Sequence, residues 1–279
     1  MVAPRPARWE DYERGSFAYG GIRHDVFRGD RAGPVVLLLH EMPSFSYRTV
    51  QLADRLQDEG YRVVMPLLFG GVRRKPAGPL VSAVTAGVDF ASSLVKVCVS
   101  WQFVALVQKR TSPITSWLIA LARAEAAESG HGRVGVIGMC FSGGFALAAA
   151  IDPVVGVAVA SQPATPFAWI PLNLIPGQTR DVGLSDEDWT RLVERREADE
   201  VCVRTFRFSR DWKSPRQRVA RIKDALAPDE TFDCIPSTKR NAHAVLTDAT
   251  DVPMDPDTAD RLDEVIASLI GTLRERLGA

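Results

Sequence analysis

The 279-residue sequence predicts an α/β fold, in which a mostly parallel, doubly wound sheet carries helices on both faces. Short apolar runs alternate with longer amphipathic segments, which is the order of repeated strand and helix units. Several runs are continuously apolar, as expected of strands covered on both faces. The length fits a single domain, residues 1–279, with insertions at about 67–112 and 161–200. In such a sheet, ligands bind at the carboxyl ends of the strands.

The composition disfavours several classes of protein. The 34 basic residues balance the 34 acidic ones, so we expect neither nucleic acid nor a membrane as the main partner. Residues 1–15 contain no apolar signal segment, and the most apolar run, 97–107, is too short to cross a bilayer, so it is interpreted as a core helix. The four cysteines form no CxxC pair. We therefore expect a cytoplasmic protein with reduced thiols.

Apolar periodicity and turn residues predict the individual elements in order. In the first half they are an antiparallel edge hairpin over 17–28, a strand over 35–39, a helix over 47–60 capped by Gly60, a strand over 61–66, a long loop over 67–85, and helices over 88–109 and 114–129. In the second half they are a strand from Arg133 to Gly138, a helix over 145–151, a strand over 154–160, a Pro-rich loop over 161–185, a helix over 186–198, a strand over 201–208, a helix over 215–226, a last strand over 231–235, and a helix over 257–277 entered by Asp255 and Pro256.

One strand-to-helix turn holds a thiol among residues with almost no side-chain bulk. Gly138 precedes Cys140 by two positions and Ser142 follows it by two, as required by a sharp turn that strains its central residue. The turn places the sulfur at the carboxyl edge of the sheet and at a helix N-terminus, where free N–H groups favour an anion. The pattern predicts that Cys140 is a nucleophile; the alternative is a buried cysteine in a tight turn.

A thiol nucleophile needs a base, and the base needs a group that orients it. Of the four histidines, His243 lies at the carboxyl edge, in the loop after the last predicted strand. The orienting acid should follow a strand between Cys140 and His243, and Asp211 follows the strand that ends at Phe208. The resulting order of nucleophile, acid and histidine is the order found in the α/β-hydrolase fold.

The loop after the first parallel strand supplies further candidates. The backbone N–H groups of Phe141 and Met42 are the predicted oxyanion hole. Glu41 lies at the end of the same strand, with a reason to face the thiol or the imidazole; a solvent-facing side chain is the alternative. The pair His40-Glu41 does not form the zinc motif HExxH, because Ser44 takes the place of its second histidine. We expect no metal and no cofactor.

Together these residues resemble the dienelactone hydrolase family of α/β-hydrolases. The segments that carry the resemblance are 38–41, 138–144, 206–211 and 243–247, and it extends from about residue 17 to the C-terminus. It implies a triad of Cys140, His243 and Asp211 that hydrolyses an ester or lactone through an acyl-thiol intermediate. It also implies that Glu41 pairs with the resting thiol or its proton until substrate displaces it.

The chain departs from the family pattern at three places. Ser142 stands where the family usually has glycine, so a register with Ser142 as the nucleophile stays open. The family's lactone enzymes bind a substrate carboxylate with arginines, one of them four residues after the catalytic histidine. That position is Thr247, which disfavours a dienelactone as substrate. The two insertions exceed what a minimal member needs, and their apolar residues either cover the site or pack a dimer interface.

The sequence therefore predicts a hydrolase of small-molecule esters or lactones that acts as a monomer or homodimer. One alternative is a carboxylesterase or thioesterase that uses Ser142. The other is a catalytically silent member that binds a small ligand or a partner. The presence of Glu41 and of all three triad residues argues against the silent member.

Overall fold

The computed structural model describes residues 6–74, 102–103, 111–164, 177–237, 242–247 and 256–278. Several predictions fall on other parts of the chain. The helix over 88–109 apart from residues 102–103, the apolar residues of the Pro-rich loop and the cap at Asp255 lie outside the described residues.

The described residues form strands and helices that alternate along most of the chain. The strands are β1 (Tyr12–Tyr19), β2 (Ile22–Gly29), β3 (Val35–Leu39), β4 (Phe45–Ser46), β5 (Arg62–Pro66), β6 (Val72–Arg73), β7 (Val134–Met139), β8 (Val155–Ser161) and β9 (Cys202–Phe206). The helices are α1 (Tyr47–Asp58), α2 (Ile114–Ser129), α3 (Gly143–Ala149), α4 (Asp186–Glu197), α5 (Arg216–Leu226) and α6 (Pro256–Leu277). Among these helices, none has both the length and the apolar character needed to cross a bilayer.

The main sheet has seven strands in the order β1-β2-β5-β3-β7-β8-β9. The hairpin of β1 and β2 is antiparallel, and β2 pairs antiparallel with β5. The remaining strands, in the order β5-β3-β7-β8-β9, are each parallel to their neighbours. This arrangement confirms the predicted mostly parallel α/β fold with an antiparallel hairpin at one edge. The carboxyl ends of five parallel strands therefore meet at one edge of the sheet.

Strand β3 shows how the sheet divides the core into two halves. All five residues of Val35–Leu39 are fully buried. Leu37 and Leu39 belong to the apolar cluster that contains residues of α2 and α3, whereas Val36 and Leu38 belong to the cluster that contains residues of α1 and α6. Because burying one such side chain is worth about 1.5–3 kcal/mol, the strand and the loop that follows it are firmly anchored.

The predicted last strand over 231–235 is wrong. Ile235 forms only an isolated parallel bridge with Phe208, in which its N–H donates to Arg207 O at 2.7 Å and its carbonyl accepts from Ser209 N–H at 2.8 Å. Pro236 has no N–H with which to extend the ladder. Strand β9 also ends earlier than predicted, at Phe206.

A small second sheet was not predicted. Strands β4 and β6 have two residues each and pair in parallel, and Phe45 N–H donates to Gly71 O at 3.0 Å. Strand β6 lies inside the segment that the sequence indicated as a loop. The pairing joins the loop after β3 to the loop after β5, both of which border the carboxyl edge of the main sheet.

Candidate active site

The turn between β7 and α3 has a strained backbone. Cys140 begins a short 3-10 turn, Cys140–Ser142, and has a φ of 57°, in the left-handed region that residues with a Cβ rarely adopt. The bend is tight enough that a Cβ on Gly138 would lie 2.2 Å from Ser142 O and 2.9 Å from the Cβ of Ala146. Strain of this kind persists where the surroundings enforce it, as they do at functional sites.

The hydroxyl of Ser142 lies inside this turn. It is fully buried and accepts a hydrogen bond from Met139 N–H at 2.9 Å. Its own proton has two carbonyl acceptors within reach, Leu39 O at 3.0 Å and Met139 O at 2.9 Å. Ser142 therefore ties the end of β7 to the end of β3 through backbone groups.

His243 and Asp211 are hydrogen-bonded in the interior. The Nδ1 atom of His243 lies 2.7 Å from Oδ2 of Asp211. The other carboxylate oxygen of Asp211 accepts the N–H groups of Lys213 at 3.0 Å and Ser214 at 3.3 Å, so the carboxylate is held on both sides. Because Nδ1 donates to Asp211, Nε2 is the nitrogen left to exchange a proton, and it is buried without a hydrogen-bond partner among the described residues.

Cys140 lies close enough to His243 to change its protonation. Burial lowers the pKa of His243, but the negative charge of Cys140 and the hydrogen bond to Asp211 outweigh burial and raise the pKa to about 10. A protonated imidazole beside a thiol stabilises the thiolate, which is the nucleophilic form. The fold thus brings together Cys140 after β7, Asp211 after β9 and His243 before α6.

Glu41 follows strand β3, which lies on the opposite side of β7 from β9, and its side chain contacts the loop that contains His243. Its carboxylate accepts a hydrogen bond from the Thr247 hydroxyl, four residues after His243. Met42 is partly buried and packs against the apolar cluster that contains Cys140 and Phe141. The residues predicted for the acid-base chemistry and for the oxyanion hole therefore border the same edge of the sheet.

Four phenylalanines form a wall beside the elbow, and sequence reasoning did not group them. The ring of Phe141 lies 4.9 Å from that of Phe145 and 6.0 Å from that of Phe69, measured between centroids. Phe103 stacks on Phe145 at 5.8 Å. These residues come from three separate parts of the chain. All four rings are buried in the same apolar cluster, so they support the elbow with aromatic side chains.

His40, which was considered as part of a zinc motif in the sequence, instead bonds to two backbone groups in the interior. It is fully buried, with Nδ1 at 3.0 Å from Glu41 O and with Nε2 accepting Leu68 N–H at 3.1 Å. Burial lowers the pKa of His40 to about 4, so the ring is neutral. A neutral ring with an acceptor at Nε2 carries its proton on Nδ1 and donates it to the Glu41 carbonyl.

Arg218 places a positive charge beneath the site, and no local pattern revealed it. Its buried guanidinium donates to Pro163 O at 3.1 Å, to Gln178 O at 2.8 Å and to Asp181 O. Burial lowers the pKa of Arg218 to about 10, while the charges of Asp181, Cys140 and Asp211 act to raise it. The helix Arg216–Leu226 contains several charged residues, so the sequence alone gives no reason to expect that Arg218 is buried.

The sheet, the elbow and the hydrogen-bonded histidine define an α/β-hydrolase. The sequence profile of the Dienelactone hydrolase family matches residues 23–171, more than half of the chain, and the chain belongs to this family. The protein is therefore a member of a family of hydrolases.

Solved structures show the same fold at low sequence identity. A protein assigned as a dienelactone hydrolase from Klebsiella pneumoniae is 15% identical, with a TM-score of 0.56 over 93% of this chain and 98% of that one. A structure described as m3DLH is 15% identical, with a TM-score of 0.54 over 95% and 98% of the two chains. A puromycin-hydrolysing peptidase of Mycobacterium tuberculosis is 13% identical, with a TM-score of 0.59 over 96% of this chain and 39% of that one. A search of curated proteins gave no match.

Proposed function

We propose that this chain hydrolyses a carboxylic ester or lactone with Cys140 as nucleophile, His243 as base and Asp211 as orienting acid. One observation carries the proposal: the 2.7 Å contact between His243 Nδ1 and Asp211 leaves a buried Nε2 for proton exchange, at the edge of the sheet where the strained turn presents Cys140. Membership of a hydrolase family supports the class of reaction.

The reaction proceeds in two halves. The Cys140 thiolate, stabilised by the His243 imidazolium, attacks the carbonyl carbon and forms a C–S bond. The N–H groups of Phe141 and Met42 hold the resulting oxyanion. When the C–O bond breaks, the leaving alkoxide takes the proton from His243 Nε2. The neutral ring then removes a proton from water, hydroxide attacks the thioester, and the acid product and the thiolate separate.

Glu41 and Thr247 bear on the class of substrate. Glu41 supplies negative charge near the thiol, as the family resemblance implies, and its carboxylate is held by the Thr247 hydroxyl. An arginine at position 247 would attract a substrate carboxylate, whereas threonine does not. This difference favours an uncharged ester or lactone. We propose that such a small molecule, rather than nucleic acid or a membrane, is the partner of a monomer or homodimer in the cytoplasm.

The direct test replaces the proposed nucleophile. We expect Cys140→Ala to reduce hydrolysis of p-nitrophenyl esters by about 10³-fold or more, because the covalent step is lost. The matched control is Cys202→Ala, which removes a partly buried thiol from strand β9, away from the elbow. Undiminished hydrolysis by Cys140→Ala would overturn the proposal.

A trapping experiment separates Cys140 from Ser142. With His243→Ala, deacylation slows, and mass spectrometry of the peptide that contains both residues should locate the acyl group on Cys140. The backbone bonds of the Ser142 hydroxyl support this expectation. An acyl group on Ser142, or labelling by a fluorophosphonate but not by iodoacetamide, would favour the serine alternative. Labelling by neither reagent would favour the silent, ligand-binding alternative.

A further inference from the structure

The short segment 162–164, directly after β8, contacts all three loops of the candidate triad. Gln162 N–H donates to Phe206 O at 2.6 Å, at the start of the segment that leads to Asp211. Ala164 N–H donates to the carbonyl of Cys140 at 3.0 Å. The side-chain oxygen of Gln162 accepts the N–H of Val245 at 3.2 Å, two residues after His243.

Gln162 has two features that are unusual for a glutamine. Its side chain is fully buried, and its φ is 35°. Among the described residues, the other non-glycine positions with positive φ are Cys140 and Asp199. A buried polar residue with a strained backbone is retained where the surrounding structure requires its particular contacts.

The orientation of the Gln162 amide is fixed by its neighbours. The N–H of Val245 and the hydroxyl of Ser161 both donate to the side-chain oxygen of Gln162. A backbone N–H must face an acceptor, so the atom in this place is oxygen and not nitrogen. The Nε2 atom is consequently turned into the interior, where it has no partner among the described residues. An unpaired buried donor lowers the stability of the fold. The orientation that bonds to Val245 is therefore present although it leaves the Gln162 Nε2 atom without a partner among the described residues.

We propose that Gln162 is a positioning residue that holds the His243 loop in register with the Cys140 elbow. The inference rests on the proposed function, in which His243 serves Cys140. Residues 242–247 belong to neither a helix nor a strand, so no regular ladder fixes them. Val245 is fully buried, and without the glutamine oxygen its N–H would lose its acceptor. A displacement of about 1 Å in a reacting group is enough to slow catalysis about 10²-fold.

The test compares two substitutions of nearly equal shape. Gln162→Met removes the acceptor, whereas Gln162→Glu keeps an oxygen opposite Val245 and puts a second carboxyl oxygen, kept protonated and neutral by burial, in place of the unpaired nitrogen. We expect kcat for a p-nitrophenyl ester to fall at least about tenfold in the methionine variant, with KM changed less than about twofold. The glutamate variant should restore kcat to within about threefold of the wild type.

The matched control is Thr205→Val. The Thr205 hydroxyl is fully buried and donates to Ala160 O at 3.0 Å, between the same two strands, β8 and β9. Its loss lowers stability without touching the His243 loop, so kcat should stay near the wild-type value. Should the methionine variant fail to fold, Gln162→Asn pulls the amide back by one methylene and should lower kcat in the same way.

A second measurement does not require the protein to hydrolyse esters. Iodoacetamide alkylation of the peptide that holds Cys140, followed by mass spectrometry, reports how well His243 supports the thiolate. At about pH 6 the alkylation rate should fall at least about threefold in Gln162→Met and remain unchanged in Thr205→Val. Equal rates in all three proteins would overturn the role of Gln162. An absence of esterase activity in the wild type would instead count against the proposed function alone.

Discussion

The hydroxyl of Thr247 donates a hydrogen bond to the carboxylate of Glu41, across 206 positions of sequence. Glu41 follows strand β3, and Thr247 ends the described part of the His243 loop. The contact therefore joins the two sides of the site above the elbow. It also gives the Glu41 carboxylate a neutral hydrogen-bond donor.

Replacement of this threonine should separate the two loops. Thr247→Val keeps the shape of the side chain and removes the donor, so we expect the free energy of unfolding to fall by about 1.5–3 kcal/mol, as for a lost bond to a charged group. Thr247→Ser retains the hydroxyl and should stay close to the wild type. Urea denaturation of the three proteins measures the difference, and equal stability of the valine and serine variants would contradict it.

Two glycines of strand β7 should respond differently to alanine. In Gly138→Ala the new Cβ would lie 2.2 Å from the Ser142 carbonyl oxygen, which is rigid backbone inside the elbow. We therefore expect the free energy of unfolding to fall by more than about 3 kcal/mol and the hydrolytic activity to be lost. In Gly135→Ala the new Cβ meets the end of the flexible Leu273 side chain at 2.9 Å, which can move, so the fall should be about 1 kcal/mol. Thermal unfolding of both variants checks the order, and a reversed order would count against a rigid elbow.

The raised pKa of His243 predicts a loss of stability at alkaline pH. Because the folded-state pKa of about 10 exceeds the unfolded value of about 6.5, the protonated ring favours the folded state. This contribution is complete below about pH 6.5 and declines, by at most about 1.4 kcal/mol per pH unit, as the pH rises towards 10. The stability difference between the wild type and His243→Gln, measured in urea at several pH values, should shrink across this window. A constant difference would argue against the effect.

The lowered pKa of His40 predicts the opposite dependence in acid. Its folded-state pKa of about 4 is below the unfolded value, so the unfolded chain binds the proton more readily. The penalty is absent above about pH 6.5 and grows as the pH falls towards 4. His40→Gln is less stable at neutral pH because the bonds to Glu41 and Leu68 are altered, but it should lose less stability between neutral pH and pH 5. Circular dichroism during urea titration at both pH values distinguishes the two proteins.

The positions of the site loops could be predicted because each follows a continuous apolar run. Val35–Leu39 leads to Glu41, and Val134–Met139 leads to Cys140. The fully buried side chains of these strands leave little choice between strand and loop. The pairing of Asp211 with His243 was inferred from chain order alone, because the strand predicted before His243 does not form.

Other parts of the structure depend on contacts that leave no local trace in the sequence. Gln162 meets Val245 across 83 positions, and Arg218 meets Pro163 across 55. The strand proposed near Ile235 had suitable residues, but Phe232 N–H is taken by the Glu230 carboxylate at 2.9 Å instead of a neighbouring strand. Sequence patterns report local propensity, whereas these features depend on which side chain or strand forms a hydrogen bond with a given backbone group in the folded protein.

The left-handed backbone at residue 140 is strained because it crowds the Cβ atom, and cysteine and serine both have a Cβ atom. The same bend would therefore accommodate oxygen in place of sulfur with no redesign of the scaffold. In the proposed reaction, sulfur would hold negative charge before an ester binds, whereas oxygen would surrender its proton during the attack itself. Exchange of a single atom would thus change the timing of charge formation while the architecture that presents it stayed the same.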